Sequence, residues 1–311
     1  MGLRIIGTGH AAPKKVVTND DLSKLVDTSD EWIRERTGIE RRHFAEEETN
    51  LDMAYAASAD ALLHAGIQKE DISLCIVATF SPDMQVPSQA CLLQQRLGLN
   101  RDIPCFDINA ACSGFLYGLQ IAHALLTQSG GQYALVVGSE IISHRLNMED
   151  RGTCILFGDG AGAAVVKLEE GYPFYGMMGA DGDDKILICG QEDSENPYVQ
   201  MDGQAVFKFA VSIIPKCIND VLEHTGLTAE DIDYFVCHQA NRRIIEYVAK
   251  KMKQPLDKFY MNLQEYGNTS AASIPIVLSE MDDKGMFTPG KKAICVGFGA
   301  GFTWGAALLQ W

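Results

Sequence analysis

The chain has 311 residues, 47% of them hydrophobic and 22% charged, with a formal net charge of −15 at pH 7. That length holds one large α/β domain or two smaller ones, each with room for a core. The acidic balance excludes general nucleic-acid binding, and nine cysteines, an odd number set mainly in apolar runs, point to a reducing, cytoplasmic compartment.

The first ten residues read as a strand over 3–8 and not as a signal peptide, because no apolar run follows Arg4. Ile6 stands where a myristoylation motif needs Ser or Thr. Helical patterns follow over 30–36, 51–64 and 88–97, with apolar strands over 72–79, 105–109 and 133–137. A further helix is expected over 113–126. Its uncharged stretch 115–128 is too short to span a membrane and reads as a buried helix. The second half predicts helices near 205–224, 242–252 and 271–281, and strands near 233–237, 293–296 and 303–310. Strands with helices between them imply largely parallel sheets covered on both faces. The clusters Gly158-Asp-Gly-Ala-Gly162 and Gly297-Phe-Gly-Ala-Gly301 run into strands, whereas a dinucleotide fingerprint opens a helix. Both are therefore read as tight turns between strands. Walker A, Cys-x-x-Cys and His-Glu-x-x-His sequences are all missing from the chain, so neither a P-loop nor zinc is expected.

Three pairs of segments repeat in the same order. Gly66-Ile-Gln-Lys-Glu-Asp-Ile resembles Gly226-Leu-Thr-Ala-Glu-Asp-Ile, 160 residues on. Ala134-Leu-Val-Val-Gly resembles Ala293-Ile-Cys-Val-Gly, 159 residues on, and Gly162-Ala-Ala-Val-Val resembles Gly305-Ala-Ala-Leu-Leu. Two copies suggest similar α/β halves, 1–170 and 171–311, packed about a pseudo-twofold axis.

Cys112 lies between a strand and a helix, among the small residues Ala110, Ala111, Ser113 and Gly114. A helix N-terminus aimed at the sulfur favours the thiolate, and a strand-to-helix elbow is a nucleophile's place. Cys75, Cys105, Cys237 and Cys295 lie in apolar β-like runs and read as core. His238 ends a strand at the start of His238-Gln-Ala-Asn. Asn268 precedes a helix, and the duplication brings it near the Cys112 elbow. These three make a Cys/His/Asn set. Residues 242–258 are locally basic: Arg242, Arg243, Lys250, Lys251, Lys253 and Lys258 against Glu246 and Asp257. By itself that segment is either a solvated helix face or a partner site.

With these residues in place, the chain resembles the β-ketoacyl-acyl carrier protein synthase III family of the thiolase superfamily along essentially its whole length. The resemblance rests on Trp32-Ile-Arg-Glu-Arg-Thr-Gly-Ile, Ala110-Ala-Cys-Ser-Gly-Phe, Asp150-Arg-Gly-Thr, Phe157-Gly-Asp-Gly-Ala-Gly, His238-Gln-Ala-Asn, Gly267-Asn-Thr-Ser-Ala-Ala-Ser and Phe298-Gly-Ala-Gly-Phe-Thr-Trp-Gly. It implies a thiolase-like five-layer αβαβα fold with two duplicated halves, a homodimer, and a decarboxylative Claisen condensation of a short acyl-CoA with malonyl-acyl carrier protein. By the resemblance, Cys112 takes the acyl group and the backbone N–H groups of Cys112 and Ala300 form an oxyanion hole. His238 and Asn268 hold the malonyl thioester oxygen, and Phe298 walls the malonyl carboxylate. No metal, cofactor, membrane or nucleic acid is implied.

The resemblance also implies that Trp32, Arg36 and Arg151 clamp the CoA adenine and phosphates. Arg243, with Arg242, Lys250 and Lys251, is implied to receive the acidic carrier protein, and Val86, Ile142 and Phe157 to bound the acyl pocket, Val86 from across the dimer. Two departures stand out. Ala300 replaces a common Gly, which costs little unless φ is positive, and Val86 replaces a common Phe. A thiolase would carry a His base in place of Asn268 and a second active cysteine. A hydroxymethylglutaryl-CoA synthase would carry a Glu where this chain has Phe80. An acyltransferase of specialised metabolism using another acceptor is the alternative within the fold, and a non-enzymatic scaffold is disfavoured by the intact set.

Overall fold

The computed structural model describes residues 1–190 and 194–311. The strands of the first half are β1 (Gly2–Ala11), β2 (Lys15–Thr18), β3 (Arg41–Phe44), β4 (Ile72–Ala78), β5 (Cys105–Ile108), β6 (Tyr133–Glu140) and β7 (Gly160–Glu169). Those that follow are β8 (Tyr175–Ala180), β9 (Leu187–Cys189), β10 (Val199–Met201), β11 (Tyr234–Cys237), β12 (Lys292–Gly299) and β13 (Thr303–Gln310). The helices are α1 (Asn19–Leu22), α2 (Asp30–Thr37), α3 (Asn50–Ala65), α4 (Gln89–Leu97), α5 (Gly114–Ser129) and α6 (Arg151–Cys154), then α7 (Gly203–Thr225), α8 (Arg242–Met252), α9 (Leu263–Tyr266) and α10 (Ser273–Asp283). Two sheets carry the fold, one ordered β1-β7-β6-β4-β5 and the other β11-β12-β13-β8.

Side-chain alternation along these strands sets the layers. In β4, Leu74 and Ile76 face one core while Cys75 and Val77 face another. In β12, Ala293 and Cys295 face the same central core, and Ile294 and Val296 face the opposite side. The central core is filled by α5 (Phe115, Leu116, Leu119) and α10 (Ile274, Val277, Leu278). Helices α3 and α4 close the outer face of the first sheet, and α7 and α8 close that of the second. Five layers result, because the central strands of each sheet bury both faces and each face needs a helix layer.

The sheets are mixed, which corrects the expectation that they are largely parallel. Strand β4 runs parallel to β5 and β6, and β11 parallel to β12. The pairs β1–β7, β6–β7, β12–β13 and β13–β8 are antiparallel. The reason is visible between β12 and β13, where the three-residue turn Ala300–Phe302 is a connection only antiparallel neighbours can make. The glycine clusters need a matching correction. Gly160 and Gly162 lie inside β7, and Gly297 and Gly299 inside β12, so these glycines are mostly strand residues. They are small because something packs against them.

The clearest case lies at the molecule's centre. A Cβ on Gly138 of β6 would stand 2.2 Å from the backbone oxygen of Ala271 in the turn leading into α10. Gly138→Ala should therefore force the two halves apart and destabilise the fold by about 1–3 kcal/mol or more. The check is the denaturant midpoint, which should fall with an unchanged slope.

Candidate active site

Two elbows of the same build meet between the sheets. In the first, the Asn109 Oδ1 accepts from the Ala111 backbone N–H at 3.2 Å, Ala111 takes φ 47°, and the turn Ala111–Ser113 leads into α5. In the second, the Asn268 Oδ1 accepts from the Ser270 N–H at 2.9 Å, Ser270 takes φ 50°, and the turn Ser270–Ala272 leads into α10. Corresponding residues lie 159 positions apart. A non-glycine residue at such a φ costs on the order of 1–3 kcal/mol, so the surroundings hold both turns in place.

Cys112 sits in the first elbow, 7% exposed. Gly299 lies against it: a Cβ there would be 2.6 Å from the Cys112 nitrogen. Ala300, next along, lines a cavity with Cys112. It is absent from the residues of positive φ, so an alanine fits there without strain. The expectation of a resting thiolate is corrected. Burial pushes the Cys112 thiol up to about 12; the nearby Ser270 hydroxyl lowers it, and the charge of Glu140 raises it further. Loss of solvent outweighs the helix N-terminus in this closed site.

His238 follows β11, held by its N–H to the Val296 oxygen at 2.9 Å. Burial drives its imidazole down to about 3, so it is neutral at ordinary pH. Its Nδ1 has no protein partner. Phe298 meets the ring edge-to-face, centroids 5.5 Å apart. Asn268 is fixed by its own N–H to Leu156 O at 2.8 Å and by the bond from Ser270, which occupies its amide oxygen and leaves the Nδ2 hydrogens to donate. Two neutral donors beside a buried sulfur and an apolar wall suit an oxyanion that forms during reaction.

Two cavities converge on Cys112. The first, about 480 Å³, is lined by Cys112, His238, Asn268 and Phe298 within, and by Trp32, Arg36, Arg151 and Phe207 further out. The Arg151 guanidinium lies 5.0 Å from the centre of the Trp32 ring and that of Arg36 5.8 Å from it. Trp32 is set by the Ser29 cap of α2, whose hydroxyl accepts from the Trp32 N–H. Asn241, the cap of α8, donates to Arg36 O and ties the two helices together. The second cavity, about 1090 Å³, runs from Cys112 past Phe157, Ala300 and Ser270 to Thr79, Phe80 and Asp107.

Other expected site residues are placed differently. Phe157 lines both cavities, whereas Ile142 is wholly buried in the core and lines neither. Val86 is 83% exposed and does not line this chain's own cavity. Cys295 is buried in the central core. On α8, Arg243 and Lys250 are exposed, Arg242 pairs with Glu246 at 2.7 Å, and Lys251 reaches the Val211 oxygen of α7. The sequence reading missed Ser270 and Glu140. A glutamate closing an apolar strand is the signal that was available. Among the described residues no His, Cys, Asp or Glu cluster could hold a metal ion, and no helix is long and apolar enough to cross a membrane.

Two family profiles match: 3-oxoacyl-[acyl-carrier-protein (ACP)] synthase III over residues 106–182 and the C-terminal part of the same family over residues 222–311. The β-ketoacyl-[acyl-carrier-protein] synthase III of Acholeplasma laidlawii is 50% identical, with 99% of this chain and 98% of that protein aligned. The chain belongs to the synthase III family. The Clostridium novyi synthase III is 48% identical over 99% of each protein. The crystal structure of 3-oxoacyl-[acyl-carrier-protein] synthase III from Aquifex aeolicus superposes with a TM-score of 0.95 at 43% identity, covering 100% of both chains. This likeness carries the five-layer thiolase-like architecture from resemblance to membership.

The raised thiol has a direct check. The ultraviolet thiolate absorbance that distinguishes the native protein from Cys112→Ala should stay absent at pH 7–9 and grow only as the pH nears about 12. A thiolate difference already present at pH 7 would contradict the burial argument.

Proposed function

We propose that the chain condenses a short acyl-CoA with malonyl-acyl carrier protein, giving β-ketoacyl-acyl carrier protein, CO₂ and CoA, and so opens fatty acid synthesis. The observation that carries this is the convergence of Cys112, His238 and Asn268 at the inner end of a cavity whose outer part holds Trp32, Arg36 and Arg151. In this reading Cys112 attacks the acyl-CoA carbonyl, and the N–H groups of Cys112 and Ala300 receive the oxyanion. An adenine lies between the Trp32 ring and the Arg151 guanidinium, with Arg36 toward the phosphates. The acyl chain enters the second cavity.

Malonyl-acyl carrier protein then binds with its thioester oxygen on His238 and Asn268. As CO₂ leaves beside Phe298, the apolar wall favours loss of charge, and the two neutral donors stabilise the enolate that attacks the acyl-cysteine. Decarboxylation generates the carbanion, so the step calls for no general base, metal or redox cofactor. The exposed Arg243 and Lys250 receive the acidic carrier protein. A homodimer completes the acyl pocket: β5 is a half-buried edge strand of the first sheet, and the exposed Val86 loop is free to reach a second copy. A cytoplasmic location suits these substrates.

The half-reactions separate the roles. Cys112→Ala should form no acyl-enzyme with acetyl-CoA, whereas Cys295→Ala should label normally. His238→Ala and Asn268→Ala should keep acylation yet slow malonyl decarboxylation by on the order of 10²–10³. Intact-mass detection of the acyl-enzyme and CO₂ release read the two steps, and wild-type decarboxylation in either variant would remove that residue from the mechanism.

Docking has its own readout. Arg243→Glu should raise the KM for malonyl-acyl carrier protein strongly while leaving acylation from acetyl-CoA intact, and added salt should slow the native condensation. Equal losses with both substrates would make Arg243 a structural residue.

A further inference from the structure

Glu140 is a fully buried carboxyl for which the condensation described above has no use. It ends β6, and its Oε2 accepts from Thr79 Oγ1 at 3.1 Å, from the Phe80 and Ser81 backbone N–H groups at 3.2 Å each, and from Ser81 Oγ at 2.5 Å. The other oxygen, Oε1, accepts only a long bond of 3.4 Å from the Phe80 N–H. One oxygen is thus saturated with donors and the other retains capacity for a proton.

Ser270 lines the second cavity together with Cys112, and the turn that carries it packs against β6, which Glu140 ends. The residue is 1% exposed, and its hydroxyl completes no hydrogen bond of ordinary geometry. It nevertheless lies close enough to the Cys112 thiol and to the Glu140 carboxyl to lower the pKa of both. The left-handed turn that places it is the twin of the turn that places Cys112. A buried, unpartnered hydroxyl is costly, and its position near both a thiol and a carboxyl gives a reason for it.

Resting on the acyl-transfer reading of Cys112, we propose that Ser270 and Glu140 form a proton relay for that thiol. As Cys112 Sγ bonds to the acyl carbon, its proton passes to Ser270 Oγ, and the Ser270 hydroxyl proton passes to Glu140 Oε1. The carbon–sulfur bond to CoA breaks with its electron pair on the departing thiolate, which takes a proton from solvent. After condensation the carbon–Sγ bond breaks with its pair on Cys112. Sγ then recovers a proton from Ser270, which Glu140 resupplies. One proton is consumed overall, as the loss of CO₂ from malonate requires.

The surroundings suit this division of labour. Burial, opposed by the hydrogen bonds from Ser81, Phe80 and Thr79 and by the nearby Ser270 hydroxyl, raises the Glu140 carboxyl to about 7. At that value it can take and return a proton near neutrality, whereas the imidazole of His238, at about 3, holds one poorly. The titratable groups that feel the Glu140 charge are Cys112 in the elbow and Cys189 at the end of β9, the latter beside Arg145. The donors from the segment after β4 are uncharged.

The experiment is single-turnover acylation by acetyl-CoA, read by intact mass from pH 5 to 10. For the native enzyme the rate should climb through a limb near pH 7 as Glu140 ionises. Ser270→Ala and Glu140→Gln should lose that limb and fall by on the order of 10²–10⁴, while the core variant Cys295→Ala keeps both rate and limb. Ser270→Ala should fold, because alanine already occupies the same backbone conformation at Ala111. It therefore carries the test even if Glu140→Gln does not fold. A limb near pH 7 retained in Ser270→Ala, or missing from the native enzyme, overturns the relay. Failure of the native enzyme to acylate at all overturns the acyl-transfer reading instead.

Discussion

The structure depends on the close contact of two strand-to-helix elbows at its centre. Each holds a non-glycine residue in the left-handed region, pinned by the asparagine two positions earlier. Neither turn would be stable on its own. They persist because glycines on the neighbouring strands, Gly299 against Cys112 and Gly138 against Ala271, let backbone approach backbone. The two sheets, and the helices α5 and α10 packed between them, brace the pair from all sides. The duplication therefore has a mechanical purpose. One elbow presents Cys112, its twin presents Asn268 and Ser270, and neither position can drift without moving the other.

Burial then fixes the chemistry by suppressing charge. Cys112 is held as a thiol and His238 as a neutral imidazole, both by loss of solvent. A neutral His and a neutral Asn cannot bind a resting carboxylate as cations would. In the proposed reaction they act when negative charge develops on a thioester oxygen, where preorganised donors in a dry site are most effective. Phe298 lines the same cavity, and in the proposed reaction its apolar face would penalise a carboxylate and favour its departure as neutral CO₂. Among the described residues, the charge that acts on the thiol is that of the Glu140 carboxyl. Opposed hydrogen bonding and burial leave it near neutrality's balance point.

The outer part of the site follows different rules. Trp32, Arg36 and Arg151 stand in the outer part of the first cavity, where cation–π contacts hold the two guanidinium groups over the Trp32 ring, a flat surface that suits the proposed adenine. Asn241 links α2, which bears Trp32 and Arg36, to α8 through its bond to the Arg36 oxygen. On a protein with a net charge of −15, exposed basic side chains such as Arg243 and Lys250 are where the proposed acidic partner would meet opposite charge.

Much of this was legible in the sequence. The strand at 303–310 and the helix at 242–252 coincide with β13 and α8, because alternation and helical periodicity are local properties of the chain. Cys112, His238 and Asn268 could be picked out from strand-end and elbow context, and the duplication indicated that the first and last would meet. Other features had no local signal. The short strands β2, β3, β9 and β10 carry too few residues for a period, and the parallel or antiparallel sense of each pair depends on which chain ends meet. Ionisation states were misjudged for the same reason. The sequence shows a helix starting after Cys112, but burial is supplied by Gly299, Ala271 and the rest of the second half. The amino-acid sequence by itself determined the elements, their layering faces and the reactive side chains. Tertiary packing alone decided strand sense, the protonation of the site, and the approach of Ser270 and Glu140 to Cys112, because electrostatics in a closed interior depend on neighbours remote in the chain.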